Sequence, residues 1–303
     1  MPFIIKKLHS DTEQRAFLFL IRELGLSQRE AQRYIAIGRL FKDGTAVTKT
    51  SMLVKGSLDY ICFEPQSRGL LPIFQTDEFA LFDKPSGVMV HPQNRHTPYS
   101  LIDEIKSHFG MDANITHRID QETSGLVLSS KNKRSERILK MMFENREMNK
   151  RYIAMVHGKV SRETKISVPL LRQKDDSAIV RMVVKVHASG KSSETTVRPL
   201  RYYPELDMTL IEAKPMTGRQ HQIRVHLFHV KHPIVGDPIY AQKEEDVIRF
   251  LDREISEEER IEKSGAKRLL LHASQLDFIY GGNHYSIHSQ TDFLEEAFLS
   301  MNK

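Results

Sequence analysis

The 303-residue sequence predicts an α+β protein in two parts: a small αβ unit over residues 1–65 and a larger sheet domain over 79–303, joined by a linker at 66–78. Three observations predict this. Two short amphipathic helical patterns precede a hairpin signal in the first 65 residues. The stretch "QSRGLLPIFQTDE" follows neither helical nor strand periodicity. Beyond Phe79, short β-type runs such as "LVLSS" and "RYIAMV" alternate with turn signals and helical patterns.

Composition sets the outer bounds. A hydrophobic content of 40% suffices for a packed core, which sets intrinsic disorder aside. The single cysteine, Cys62, can form no intramolecular disulfide and has no second thiol for a zinc cage, so a reducing, cytoplasmic setting is expected. The opening "MPFIIKKLHS" lacks the apolar core of a signal peptide, and no stretch approaches 18 uninterrupted apolar residues, so a soluble protein without membrane association is expected. A net charge of +6 favours a polyanionic partner, because Lys and Arg that neutralise phosphates gain from counterion release.

From Asp11 to Gly25 the apolar residues Phe17, Leu20, Ile21 and Leu24 fall at helical spacing, and Gly25 supplies the stop. Ser27 then opens "SQREAQRYIAIG", where Ser27 and Glu30 have the spacing of a capping box and Gly38 ends the helix. Arg29 and Arg33, four residues apart, project from one face, with Arg39 and Lys42 just beyond. Such a stripe is either a solvated face or a phosphate-binding one. An Asp43-Gly44 turn and a Lys55-Gly56 turn then separate short β-type runs. Helix, capped basic helix, Gly-Arg, hairpin and "VKGSLDYI" together resemble the S4 RNA-binding module over roughly residues 13–65. The resemblance implies Arg29, Arg33 and Arg39 as phosphate contacts.

Four segments of the second part are unlikely as mere packing sequences. In "DKPSGVMVHP" a Pro-Ser-Gly turn suggests a hairpin, and Lys84 is either a surface lysine or an RNA contact. In "THRIDQETSG", Asp120 lies in the loop feeding a buried strand "LVLSS", with Gly125 at the junction. Spacing alone makes Asp120 a turn residue. It gains weight because no other part of the chain offers the company that a metal or a triad would need.

In "KRYIAMVHG" a strand places Tyr152, Ala154 and Val156 on one face, where a tyrosine is ordinarily core; its ring could stack on a base if that face lined a cleft. In "PMTGRQHQIRVHLFHVKHPIVGDPIY", Thr217 and Gln220 have capping-box spacing, which places a helix start at Gly218 with Arg219 pointing outward, a suitable phosphate site. Arg224 is then semi-buried and requires a carboxylate partner. His226, His229 and His232 spread over about a third of a helix circumference, too far to converge on one ion, so no metal is expected. The charged stretch 242–267 reads as a solvent-exposed helical insertion without chemistry.

Taken together, "HRIDQETSGLVL", "KPSGVMVHP", "KRYIAMVHG", "TGRQHQIRVHL" and the late "RLLLHASQLDF" resemble the RluA family of pseudouridine synthases over roughly residues 75–290, with Ile119 in place of the family's leucine. The resemblance implies a mixed, mainly antiparallel sheet with flanking helices and a cofactor-independent conversion of uridine in RNA to pseudouridine. It implies Asp120 as the catalytic aspartate, Tyr152 as the residue stacking on the target base, Arg224 as the partner of Asp120, and Arg118 as the residue inserted where the flipped base had been. Arg219 and the Lys-rich "SKNKRSER" would line a positive groove. Large-subunit ribosomal RNA is the favoured substrate and transfer RNA the competing one, with no required protein partner evident. A non-catalytic RNA-binding or assembly protein, and a hydrolase using the histidines, are the readings of other classes.

Overall fold

The computed structural model describes residues 2–172 and 184–301. These divide into two compact units, one of residues up to 68 together with 92–103, the other of 69–91 with 104 onward.

The first unit is a four-stranded antiparallel sheet with two helices. Strand β1 (Phe3–Arg15) leads into α1 (Ala16–Leu24) and α2 (Gln28–Ala36), followed by β2 (Leu40–Lys42), β3 (Thr45–Ala46) and β4 (Leu53–Phe63), in the order β1-β4-β2-β3. The expected helix start at Asp11 is corrected here. Residues 11–15 bear no apolar side chain to bury against a helical core, and β1 runs through them, pairing with β4 as far as Arg15↔Leu53. The helix begins at Ala16 and ends on Gly25, whose φ of 63° closes the C-terminus.

The Ser27–Glu30 capping box forms as expected, each side chain bonding the other residue's backbone N–H. Asp43 and Gly44 both carry positive φ, the geometry a tight β2–β3 hairpin requires. Lys55-Gly56 is not a turn. Gly56 sits inside β4 with φ 84°, opposite Ser10, where the β1 register shifts by a bulge. Phe19, Leu20, Ile35, Leu40 and Leu58 close a core between helices and sheet.

The second unit is built on a ten-stranded sheet and a separate two-stranded hairpin, twelve strands among the described residues. They are β5 (Phe74–Gln75), β6 (Phe79–Lys84), β7 (Asn114–Ile115), β8 (Ser124–Ser130), β9 (Asn149–His157), β10 (Thr164–Ser167), a separate β11 (Leu170–Arg172) and β12 (Val184–Val186) hairpin, β13 (Glu194–Tyr203), β14 (Met208–Pro215), β15 (Leu271–Tyr280) and β16 (Asn283–His288). The main path runs β10-β13-β14-β9-β15-β8-β6-β5, with β16 on β15 and β7 on β8. All pairings are antiparallel except β8 with β15, so the sheet is mixed and mainly antiparallel, as the sequence led us to expect.

Flanking helices are α3 (Leu101–Phe109), within which the chain passes from the first unit's residues to the second's, α4 (Lys133–Glu144), α5 (Gln222–His229), α6 (Glu244–Leu251), α7 (Glu257–Ser264) and α8 (Phe293–Met301). Two apolar clusters hold the sheet. One gathers Ala154, Met155, Val156, Ile211, Leu227, Leu270 and Phe293; the other gathers Phe79, Leu81, Leu128, Leu139 and Phe278. Each large side chain buried there contributes about 1.5–3 kcal/mol.

Every residue of β8 is buried, which fits a central strand covered on both faces. Its entry is tight: Gly125 has φ 104°, and a Cβ there would lie 2.3 Å from the Ala273 carbonyl oxygen of β15. No hairpin follows the Pro-Ser-Gly turn. Residues 88–100 form no strand, and β6 pairs instead with β8 from Phe79↔Ser130 to Lys84↔Gly125. Part of the expected linker, Phe74–Gln75, joins the sheet as β5. The charged stretch 242–267 is helical as expected, but its helices bury Val247 and Ile261 and are not wholly solvated. Among the described residues no helix is long and apolar enough to cross a membrane.

Candidate active site

Asp120 is both a turn residue and something more. Its backbone carbonyl accepts from the Thr123 N–H at 3.2 Å, closing the turn that feeds β8, while its side chain is left for another partner. That partner is Arg224, whose Nη1 donates to Asp120 Oδ2 at 3.3 Å.

Arg224 lies in the first turn of α5 and is 2% exposed. Its guanidinium is held by a carboxylate the sequence analysis did not identify. Nε and Nη2 donate to the two oxygens of Asp237, each at 2.8 Å, in a bidentate fork. Asp237, 1% exposed, also accepts the backbone N–H groups of Ile239 and Tyr240, so four bonds satisfy it. The Arg224 guanidinium lies 5.1 Å from the Tyr240 ring centroid. Burial works against its charge, but Asp237 and Asp120 more than offset this and hold it cationic far above the physiological range. The result is a rigid cation with one N–H face turned to Asp120, whose side chain is 25% exposed.

The start of α5 departs from expectation. Gln220 does not cap, and the helix begins at Gln222, whose side-chain oxygen accepts from the Arg219 N–H and the Thr217 hydroxyl. The amide nitrogen of Gln222 donates to Glu194 O and Thr195 Oγ1, fixing the turn to β13. His221 precedes the helix with φ 52°, a conformation costing a non-glycine residue about 1–3 kcal/mol. Its Nδ1 is 3.0 Å from the Tyr240 hydroxyl and its Nε2 is 3.9 Å from Asp120 Oδ2. Burial, then the Arg224 cation, lowers its pKa and keeps the imidazole neutral.

Tyr152 enters from β9, paired with Ala213 of β14 on one side and Ala273 of β15 on the other. With Gly125 beyond Ala273, the ring stands in a row of small residues that give it room without a competing side chain. Its hydroxyl is raised well above the usual phenol value by burial and by the nearby Asp120 charge, so it stays protonated.

Lys84 is neither a surface lysine nor an exposed contact. It is 1% exposed, and its ammonium donates to the carbonyls of Pro85, Val88 and Gln121 at 2.7–3.0 Å, tying the Pro-Ser-Gly turn to the Asp120 loop. Burial draws its pKa down to about 7, while the three carbonyls can all be satisfied only by the three N–H bonds of the ammonium. His117, next in the same loop, is neutral: burial takes it to about 3, its Nε2 accepts the Leu128 N–H and its ring stacks on Phe143 at 4.3 Å.

The remaining candidates fall elsewhere. Arg118 is exposed, two residues before Asp120, and makes no hydrogen bond or ion pair among the described residues. Arg219 is half-buried, with Nε donating to Ser192 O. In the first unit, Arg29 and Arg33 are exposed on α2, while Arg39 is half-buried against the rings of Tyr34 and Phe3 at 4.7 and 5.6 Å. The three histidines do not converge. His226 is buried between Ser193 and Thr195, and His232 faces the His157 carbonyl.

A model of the family described as RNA pseudouridylate synthase matches residues 78–229, which include Asp120, Tyr152 and Arg224. A relative from Helicobacter pylori, an uncharacterized RNA pseudouridine synthase, is 37% identical over 289 residues, covering 95% of this chain and 94% of its own. The chain belongs to the RluA-type RNA pseudouridine synthases. It is therefore an isomerase that acts on RNA.

Two further synthases widen the comparison. The ribosomal large subunit pseudouridine synthase C of Vibrio cholerae is 31% identical over 237 residues, 76% of this chain and 69% of its own. The dual-specificity RNA pseudouridine synthase RluA of Vibrio parahaemolyticus is 32% identical over 232 residues, 74% and 84% respectively. Among solved structures, human RNA pseudouridylate synthase domain containing 1 shares the fold with a TM-score of 0.59 at 23% identity, covering 77% of this chain and 89% of its own.

Proposed function

We propose that this synthase uses Asp120 as its catalytic carboxylate to isomerise uridine in large-subunit ribosomal RNA. The observation that carries the assignment is the Asp120–Arg224–Asp237 arrangement, a partly exposed carboxylate held at 3.3 Å by an arginine that is itself locked at both 2.8 Å contacts. The reaction breaks the N1–C1′ bond, rotates the uracil and joins C5 to C1′, with N1 gaining a hydrogen as C5 loses one. No redox equivalent or phosphate is exchanged. Attack on C1′, attack on the base and removal of a sugar proton are the routes open to one carboxylate, and each requires Asp120 ionised and aimed. Arg224 fixes its direction through the bond from Nη1 to Oδ2.

The target base must leave its stack to reach Asp120. Tyr152, flanked by alanines, offers the extruded ring a stacking face, and exposed Arg118 is free to fill the gap left in the RNA. Arg219, with the S4-like first unit and its Arg29, Arg33 and Arg39, supplies phosphate contacts along the strand. The ribosomal substrate is favoured by the large-subunit synthase among the relatives; transfer RNA, the alternative that the sequence left open, is the competing substrate. The lone thiol, Cys62, suits a reducing cytoplasm.

The test is tritium release from RNA labelled at uridine C5, comparing large-subunit ribosomal transcripts with transfer RNA. Asp120→Asn should abolish release while the protein still binds RNA. Substantial turnover by that variant would remove Asp120 from the chemistry, and release from transfer RNA alone would overturn the ribosomal assignment.

A further inference from the structure

Arg260 lies in the charged stretch to which the sequence analysis assigned no chemistry, yet it reaches the two loops on which the active site depends. The helix that carries it, α7, is well defined. Ser256 and Glu259 form a capping box at its start, Gly265 closes its end with φ 89°, and Lys263 pairs with Asp246 of α6 at 2.7 Å. The guanidinium lies 5.0 Å from the Phe250 ring centroid, which limits its swing.

From there a single nitrogen, Nη2, donates to Glu122 Oε2 at 2.6 Å and to the Gly236 carbonyl at 3.1 Å. Glu122 is two residues after Asp120, and its carbonyl accepts the Ser86 hydroxyl at 2.6 Å. Gly236 immediately precedes Asp237, the carboxylate that holds Arg224. Gly236 is also confined, its N–H donating to Ser264 O at 2.7 Å, while a Cβ on it would lie 1.8 Å from Arg268 O. The Arg260 side chain is 14% exposed and that of Glu122 17%, so water screens their pairing weakly.

We infer that Arg260 is a positioning residue, joining the Asp120 loop to the Asp237 loop and so setting the separation between Asp120 and Arg224. It touches no reacting atom. The two loops meet the sheet through different strands, and Asp120 and Arg224 contact each other at a single 3.3 Å bond. Arg260 is a second tie between them. Losing it lets the carboxylate drift relative to its arginine, and a displacement of about 1 Å in such a pair can cost up to about a hundredfold in rate. The inference rests on the assignment of Asp120 as the catalytic carboxylate.

The experiment compares wild-type enzyme with Arg260→Gln, Arg260→Lys, Glu122→Gln and the Arg260→Gln/Glu122→Gln double variant in the tritium assay, with Asp120→Asn alongside, on the labelled RNA that the wild-type enzyme modifies. Arg260→Gln and Glu122→Gln should each lower kcat about ten- to a hundredfold with KM for RNA within about twofold. The double variant should be no slower than the worse single one, the signature of two residues acting through one contact. Arg260→Lys, which keeps the charge but not the planar guanidinium, should recover part of the rate. Thermal melts of each variant separate a rate effect from unfolding. Unchanged kcat in folded Arg260→Gln, or a double variant as slow as the product of the two single effects, would overturn the inference. Turnover by Asp120→Asn would instead defeat the assignment on which it rests.

Discussion

Removing the Asp237 carboxylate tests what holds the site together. In Asp237→Ala the Arg224 guanidinium, 2% exposed, loses both 2.8 Å bonds and keeps only Asp120 at 3.3 Å. Breaking a buried ion pair from one side typically costs about 3–5 kcal/mol, because a charge is left without compensation. The backbone N–H groups of Ile239 and Tyr240 lose their acceptor as well, so the upper half of that range applies. For a domain of this size the drop in Tm is about 8–20 °C. Turnover should fall with it, since Asp120 then faces a cation free to move. The double variant Asp237→Ala/Arg224→Met removes both charges and should recover more than half of the lost Tm while remaining inactive. Differential scanning calorimetry and the tritium assay read the two effects. An Asp237→Ala protein that melts within about 2 °C of wild type at full turnover would refute the reasoning, as would a double variant no more stable than the single one.

Two other expectations come from the same structure. Arg29→Ala with Arg33→Ala removes two exposed cations from α2, and should weaken RNA binding and flatten the dependence of log K on log salt by about 1–2; an unchanged slope in filter binding at several salt concentrations would make that stripe a solvated face. Stability should also fall with acid. Burial first, and neighbouring cations where present, holds His226 and His272 at about 4 and His117 at about 3, all below the ordinary 6.5. The unfolded chain therefore binds more protons between those values, so this stability is full above about pH 6.5 and is lost as pH falls toward 4. At pH 5, His226 and His272 should each withdraw about 2 kcal/mol relative to pH 7.5. Urea midpoints at the two pH values measure the sum, and a midpoint that does not move would contradict neutral burial of these rings.

What could be read in advance depended on whether the cause lay within a few residues. The Ser27–Glu30 box, the Asp43-Gly44 turn and the buried run of β8 are set by local capping, backbone chirality and the apolar run Leu126-Val127-Leu128, and each stands where the local pattern put it. Strand β1 was invisible because its partner β4 begins 38 residues after β1 ends, and most of its side chains are exposed or half-buried, so no local apolar pattern announces it. The absent hairpin after Lys84 has a similar origin. An ammonium that must satisfy three carbonyls holds Pro85, Val88 and Gln121 around itself, and Gln121 lies 37 residues on, beyond the reach of any local pattern.

The site follows the same division. Buried Arg224 demanded a carboxylate, a requirement that burial and charge impose wherever the partner comes from, and Asp120 was assigned to it through the family resemblance. The stronger partner, Asp237, was in plain view in "VGDPIY", but an Asp ahead of a proline reads as a turn residue, and only the fold brings its two oxygens to the fork. This division of labour has a physical logic. A carboxylate bonded four times is poorly placed to react, so under the proposed assignment the anchoring and the chemistry fall to different residues. Asp237 holds the arginine, and Asp120, paired through one longer bond and partly open, is the carboxylate that the proposal gives to the uridine.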